Sequence, residues 1–200
     1  MKQEVIIATL NEGKVYEFKQ LFSVDKWIVR SLKDFPKMTD IKEDGQTFAE
    51  NATIKAETLS KELGRMVIAD DSGLIIDALD GRPGIYSARY AGEEKDDEAN
   101  MRKVLQELKD VPSEDRAARF FCSIAVARPN EQTLVYEGAC EGYIAREKSG
   151  TNGFGYDPIF YVPNLQRTMA ELTPQEKNER SHRAKAIAQL FAHENEWNKE

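Results

Sequence analysis

Histidine and cysteine are scarce in this chain of 200 residues, with two of each. His182 and His193 form no H-E-x-x-H pair, and Cys122 and Cys140 form no C-x-x-C pair, so neither a zinc-hydrolase motif nor a zinc-binding or redox cysteine motif is present. The two thiols lie in apolar, strand-like stretches and read as reduced interior residues. No apolar run approaches the ~20 residues of a membrane span. Met1-Lys2-Gln3-Glu4 leads straight into an apolar segment with no signal-peptide core, which predicts a cytoplasmic protein and makes the glycosylation pattern Asn51-Ala52-Thr53 a chance match. Basic charge is also in deficit. Twenty-eight Lys and Arg against 35 Asp and Glu give a net charge of -7, which speaks against binding a nucleic-acid polymer. A small anionic ligand is still allowed, because one site can be locally basic on an acidic protein. Repeats and low-complexity linkers are absent.

What is present is an ordinary globular balance, 40% hydrophobic and 32% charged residues. Val5–Ala8 reads as a buried strand, followed by Val15, Phe18, Leu21 and Phe22 at helical spacing. Trp27, Val29 and Ser31 alternate as a strand does, before a polar loop around Pro36. Thr47-Phe48-Ala49-Glu50 has the form of a capping box, opening a helix with Phe48, Ala52, Ala56, Leu59 and Leu63 on one face and Gly64 at its stop. Met66–Ala69 predicts a short strand ending in two acids, and Leu74–Leu79 a separate one. Met101, Val104, Leu105 and Leu108 predict a further helix, and Phe120–Ala127 and Leu134–Ala145 two or three longer strands, with turns at Pro129-Asn130 and near Gly142. Thr173-Pro174-Gln175-Glu176 opens the last helical region, with Ala184, Ile187, Ala188 and Phe191 as its apolar face. The pattern is that of one α/β unit, with division into two lobes around a cleft left open.

Four segments carry chemistry. Thr9-Leu10-Asn11-Glu12-Gly13-Lys14 joins a strand to a helix whose N-terminus suits a phosphate; Asn11 as a plain N-cap and Lys14 as a solvated charge is the other reading, and the segment is not a Walker loop. Ala69-Asp70-Asp71-Ser72-Gly73-Leu74 places two acids together, which is costly unless a cation shares the site. Mg²⁺ uses one or two carboxylates plus phosphate oxygens, and Glu43 could supply a second ligand; the alternative is an Asp-Ser-Gly turn. Gly150-Thr151-Asn152-Gly153-Phe154-Gly155-Tyr156-Asp157-Pro158 suggests backbone folded about a flat ligand with Phe154 free to stack, or a hairpin loop with Phe154 as a core plug. Lys177-Asn178-Glu179-Arg180-Ser181-His182-Arg183 offers donors for a purine and a phosphate, or a charged solvent face.

Taken together these segments resemble the inosine triphosphate pyrophosphatase family. The resemblance covers nearly the whole chain: T-x-N-x-x-K at Thr9, Asn11 and Lys14; G-x-T-F-x-E-N-A-x-x-K from Gly45 to Lys55; A-D-D-S-G-L from Ala69 to Leu74; P-G-I-Y-S-A-R-Y from Pro83 to Tyr90; G-F-G-Y-D-P from Gly153 to Pro158; and S-H-R from Ser181 to Arg183. It implies a single domain over 1–200, an elongated α/β fold with a mixed sheet flanked by helices and two lobes around a central substrate cleft, a homodimer, and Mg²⁺ as cofactor. The implied substrates are non-standard purine nucleoside triphosphates such as ITP, dITP and XTP, cut to a monophosphate and pyrophosphate. Asp71 is implied as general base and metal ligand, with Glu43 as the other ligand. Thr9, Asn11, Lys14 and Lys55 are implied to hold the triphosphate, with Ser72 touching substrate. Phe154, Gly155, Tyr156 and Asp157 are implied to shape the base pocket, Lys177 to lie near phosphates and base, and His182 and Arg183 to read the base. Two other readings use the same residues: a nucleotide sensor without catalysis, which has no use for Asp71 and Glu43, and a pyrophosphatase for modified pyrimidine triphosphates, which Ser181-His182-Arg183 disfavours.

Overall fold

The alternation of apolar strand and amphipathic helix is realised as β1 (Gln3–Ile7), α1 (Glu12–Leu21), β2 (Trp27–Ser31), α2 (Phe48–Leu63) and β3 (Val67–Ile76). α3 (Asp97–Glu107), β4 (Ala117–Ala127), β5 (Leu134–Ile144), β6 (Phe160–Val162), β7 (Arg167–Thr168), α4 (Pro174–Asn178), α5 (His182–Ala192) and α6 (Glu194–Trp197) follow. The structure, a computed structural model, describes residues 2–23, 25–35, 41–92 and 94–198, so the loop expected around Pro36 lies outside the described residues. None of the described helices is long and apolar enough to cross a membrane.

The strands form one seven-stranded sheet in the order β2-β1-β3-β4-β5-β6-β7. β1 runs parallel to β2 and to β3, as strands joined by crossover helices must, whereas β6 pairs antiparallel with both β5 and β7. The expected α/β class and mixed sheet are therefore both present.

Contacts divide the chain into two compact units: Met1–Asp71 with Cys122–Gly138 and Arg183–Glu200, and Ser72–Phe121 with Ala139–His182. The first unit has an apolar core on each face of its strands. On one face Phe18 of α1, Phe22 at its C-terminal cap, and Ala186, Ile187 and Leu190 of α5 meet Val5, Ile7, Ile68 and Cys122. On the other, Ala52, Ala56 and Leu59 of α2 meet Ile6, Ala8, Val67 and Ala69. The second unit packs Met101, Val104 and Leu108 against Leu74, Ile76, Phe120, Ile144 and Phe160. Both cysteines are buried and unbridged. Burial pushes the Cys122 thiol up to about 12, which keeps it an inert core residue.

Four local expectations are revised. β5 runs unbroken from Leu134 to Ile144, so the turn expected near Gly142 is absent and Gly142 lies inside the strand. Met66–Ala69 and Leu74–Leu79 are not separate strands: β3 is continuous from Val67 to Ile76, so the two acids stand inside a strand and not in a turn. The apolar face of α5 carries Ala186 and Leu190 in place of Ala188, which is exposed, because a buried Arg183 occupies the first position of the Arg183-Ile187-Leu190 stripe. Thr47 does cap α2, accepting from the Glu50 amide at 3.1 Å, but the Glu50 carboxylate returns to Gln46 N at 2.6 Å, one residue before the cap.

Candidate functional site

The site begins where β1 stops. Its register with β3 ends at Ile7 opposite Ile68, and Ala8 N closes the ladder on Ile68 O at 2.7 Å. From β1 the chain winds outward to β2 on one side and returns to β3 on the other. Such a reversal in a parallel sheet is where ligands bind, at the strands' carboxyl ends. β3 continues past this point, and its next residues are Ala69, Asp70 and Asp71. Strand side chains alternate between faces. Ile68 packs on the α1/α5 side and Ala69 on the α2 side, so Asp70 falls on the former and Asp71 on the latter. The two neighbouring acids thus face different partners.

Asp70 is fully buried. Its Oδ2 is 2.9 Å from Lys14 Nζ and accepts from Arg183 Nη2 at 2.9 Å and Nε at 3.3 Å. Arg183 Nη1 in turn donates to Glu17 of α1. Burial opposes the Asp70 charge, but Lys14, Arg183 and Lys55 outweigh it and hold the carboxyl far below the usual carboxylate range. Lys14 is aimed by its helix start: Asn11 is the N-cap of α1 and accepts from Lys14 N at 3.1 Å, while Thr9 Oγ1 accepts from Asn11 N at 3.2 Å. Asn11 is thus a cap, as its plainer reading held, and Lys14 is a paired charge at the positive end of a helix.

Asp71 faces α2. Asn51 Nδ2 donates to its Oδ2 at 3.1 Å, Lys55 Nζ lies 3.5 Å from its Oδ1, and the same ammonium meets Glu43 Oε2 at 2.8 Å. Burial raises the Asp71 pKa, with Lys55 and Lys14 pulling against it and Glu43 reinforcing it. Lys55 is itself buried, which disfavours its charge, yet Asp71, Glu43 and Asp70 prevail and hold it protonated. Glu43 and Asp71 therefore converge on one cationic position with oxygen donors. Among the described residues no cluster of three or more His, Cys, Asp or Glu offers a complete protein ligand cage. Two carboxylates suffice for a hard cation that completes its shell with phosphate and water, so this donor set fits Mg²⁺.

The second unit gathers the other expected residues. Asp157 Oδ2 accepts from Phe154 N at 3.0 Å and from Lys177 Nζ at 2.6 Å, and Lys177 Nζ stands 4.6 Å from the ring centre of the half-buried Phe154. Gly155 N donates to Asp97 Oδ2 at 2.8 Å, and the Tyr156 hydroxyl donates to Ser87 O at 2.7 Å. Gly153 has φ +78°, and a Cβ there would fall 2.0 Å from Asp157 Oδ2, so the loop requires glycine. The His182 ring stacks on Phe120 with centroids 5.0 Å apart. Ser72, half-buried, directly follows Asp71 in β3. Glu179 and Arg180 pair with each other at 2.9 Å.

Thr9, Asn11, Lys14, Glu43, Lys55, Asp71 and Arg183 thus belong to the first unit, and Ser72, Phe154, Gly155, Tyr156, Asp157, Lys177 and His182 to the second. Asn51, Glu17 and the ion-pairing of Asp70 were not assigned from sequence. A signal existed for Asn51: it shares the buried face of α2 with Phe48, Ala52, Lys55 and Ala56, and a polar residue on an apolar stripe needs a partner.

The sequence model of the Ham1 family matches residues 5–193. The dITP/XTP pyrophosphatase of Halalkalibacterium halodurans is 62% identical over 188 residues, which is 94% of this chain and 97% of that protein. The dITP/XTP pyrophosphatase of Geobacillus kaustophilus is 57% identical, over 94% of this chain and 92% of that protein. Among solved structures, the Staphylococcus aureus Ham1 protein superposes with TM-score 0.85 at 48% identity, covering 95% of this chain and 97% of that one. A HAM1 protein from Coxiella burnetii gives 0.86 at 45%, covering 96% and 98%.

Proposed function

The chain belongs to the Ham1 family, and from that premise we propose that it hydrolyses dITP, XTP and ITP to the nucleoside monophosphate and pyrophosphate, clearing non-standard purines from the nucleotide pool. The observation that supports this most strongly is the division of labour on β3. Asp70 is locked between cations, whereas Asp71, beside it on the opposite face, has its pKa raised and shares Lys55 with Glu43. A carboxylate of that kind can accept a proton; its neighbour cannot.

Asp71 takes a proton from the attacking water, whose oxygen bonds to the α-phosphorus as the bond to the bridging oxygen breaks and pyrophosphate departs. Lys14 and Lys55 oppose the triphosphate charge. Each ammonium has three N–H donors, so pairing with carboxylates leaves capacity for a phosphate oxygen. Thr9, Asn11 and the first turn of α1 line the same end of the sheet. Mg²⁺ held by Glu43 and Asp71 would neutralise phosphate charge and make pyrophosphate a better leaving group. Ser72 contacts substrate beside Asp71. Phe154, Gly155, Tyr156, Asp157, Lys177 and His182 are assigned to the base. Arg183, ion-paired with Asp70 and Glu17, is assigned to the base as well.

The test is pyrophosphate release from ITP, dITP, XTP, GTP and ATP, with and without Mg²⁺. Metal-dependent turnover of the first three, with GTP and ATP poor, is the expected result, and no pyrophosphate from any of them overturns the proposal. The active species is proposed to be a homodimer, and sedimentation at several protein concentrations tests that.

A further inference from the structure

We infer that Asn51 is a positioning residue that ties the loop bearing Glu43 to the carboxylate of Asp71 and so sets the spacing of these two acids. The inference rests on the reading of Asp71 and Glu43 proposed above. Asn51 lies in the first turns of α2, 97% buried. Both ends of its side-chain amide are used: Oδ1 accepts from Gly45 N at 2.9 Å, and Nδ2 donates to Asp71 Oδ2 at 3.1 Å. One planar group thus joins three pieces of backbone: the segment Glu43–Gly45, helix α2 and strand β3. Its amide orientation follows from these partners, because a backbone N–H can only meet the carbonyl oxygen and a carboxylate only the NH₂. Glu43 stands two residues before Gly45, and Lys55, one helical turn beyond Asn51, closes the circuit by meeting Glu43 and Asp71.

Two further features fit this role. A Cβ on Gly45 would lie 2.8 Å from Asn51 Oδ1 and 2.8 Å from Glu50 Cβ, so glycine there is what lets the loop reach the amide. By holding Asp71 Oδ2, Asn51 also orients Oδ1 toward the side of Lys55 and Glu43. Ala, Ser or Thr cannot span both contacts. Aspartate can accept from Gly45 N, but as a carboxylate it cannot donate to Asp71 and would repel it.

Three variants and a control variant test this by steady-state kinetics with dITP and by metal binding with Mn²⁺ alone, followed by electron paramagnetic resonance. Outer partners of metal-binding groups are typically worth 10–100-fold in affinity or activity. Asn51→Ala should therefore lose roughly 10–100-fold in kcat with a smaller change in KM, and bind Mn²⁺ at least about 10-fold more weakly. Asn51→Asp should not restore kcat, because it keeps only the Gly45 contact. Gly45→Ala should lower kcat and Mn²⁺ affinity by displacing the amide with Asn51 intact. Thr47→Ala is the control for a merely structural effect: losing the α2 cap should lower Tm while kcat and Mn²⁺ affinity stay at wild-type values. Wild-type kcat and Mn²⁺ affinity in folded Asn51→Ala overturn the inference, as does full kcat in Asn51→Asp; if Asn51→Ala does not fold, Gly45→Ala at wild-type values overturns it. A wild-type enzyme that releases no pyrophosphate removes the functional reading instead, and Mn²⁺ binding still decides the role of Asn51.

Discussion

Asp70 and Asp71 are chemically identical and adjacent, and strand alternation alone gives them different partners. Asp71→Asn keeps the shape of the side chain but loses the base and one anionic ligand, so kcat should fall at least the ~10²-fold of general-base catalysis, with a smaller change in KM. A variant within threefold of wild type in kcat contradicts the assignment. Asp70→Asn is predicted to act on stability. Removing one partner of a buried ion cluster costs about 3–5 kcal/mol, because Lys14 and Arg183 stay behind. The pH dependence follows from the depressed pKa of Asp70. Its stabilising contribution is complete above the unfolded-state value near ~3.9 and is lost as pH falls below it. The stability gap between wild type and Asp70→Asn in urea should therefore be widest near neutral pH and narrow toward about pH 3; a gap that widens on acidification contradicts the ion-pair account. The residues with motif-like surroundings were legible from sequence. Glu17 was not, since its pairing with Arg183 joins residues 166 apart in the chain.

At the scale of elements, the loop from Gly150 to Asp157 is held by bonds that leave little room for change. Gly153→Ala puts a methyl group into the Asp157 carboxylate in a backbone conformation that L-residues resist. It should raise KM for dITP several-fold and lower the preference for dITP over dATP, while Mn²⁺ binding at Glu43 and Asp71 is unchanged. Unaltered KM and preference would detach this loop from base recognition. Helix starts and stops were readable because caps are local: Thr47, Thr173 with Pro174, and Gly64 all act within a few residues. β3 was misread as two strands because hydropathy treats Asp-Asp-Ser-Gly as a break. Its continuity depends on cations and an amide supplied by α1, α2 and α5, which no window along β3 contains. The α5 stripe was shifted for the same reason, a buried arginine counted as surface.

For the whole molecule, six short motifs in order identified a relationship that the Ham1 match and relatives above 55% identity establish. Strand order and parallel pairing were not legible, because they depend on which faces the helices cover. The pairing puts Asp70 and Asp71 beyond the end of β1, because β3 continues past Ile68 where β1 stops at Ile7. The central claim is that Asp71 directs water to the α-phosphorus. Hydrolysis of dITP in ¹⁸O-labelled water, with the products resolved by mass spectrometry, tests it most directly. One ¹⁸O in the monophosphate and none in pyrophosphate is the predicted result; label in pyrophosphate, or a diphosphate released with inorganic phosphate, would contradict it.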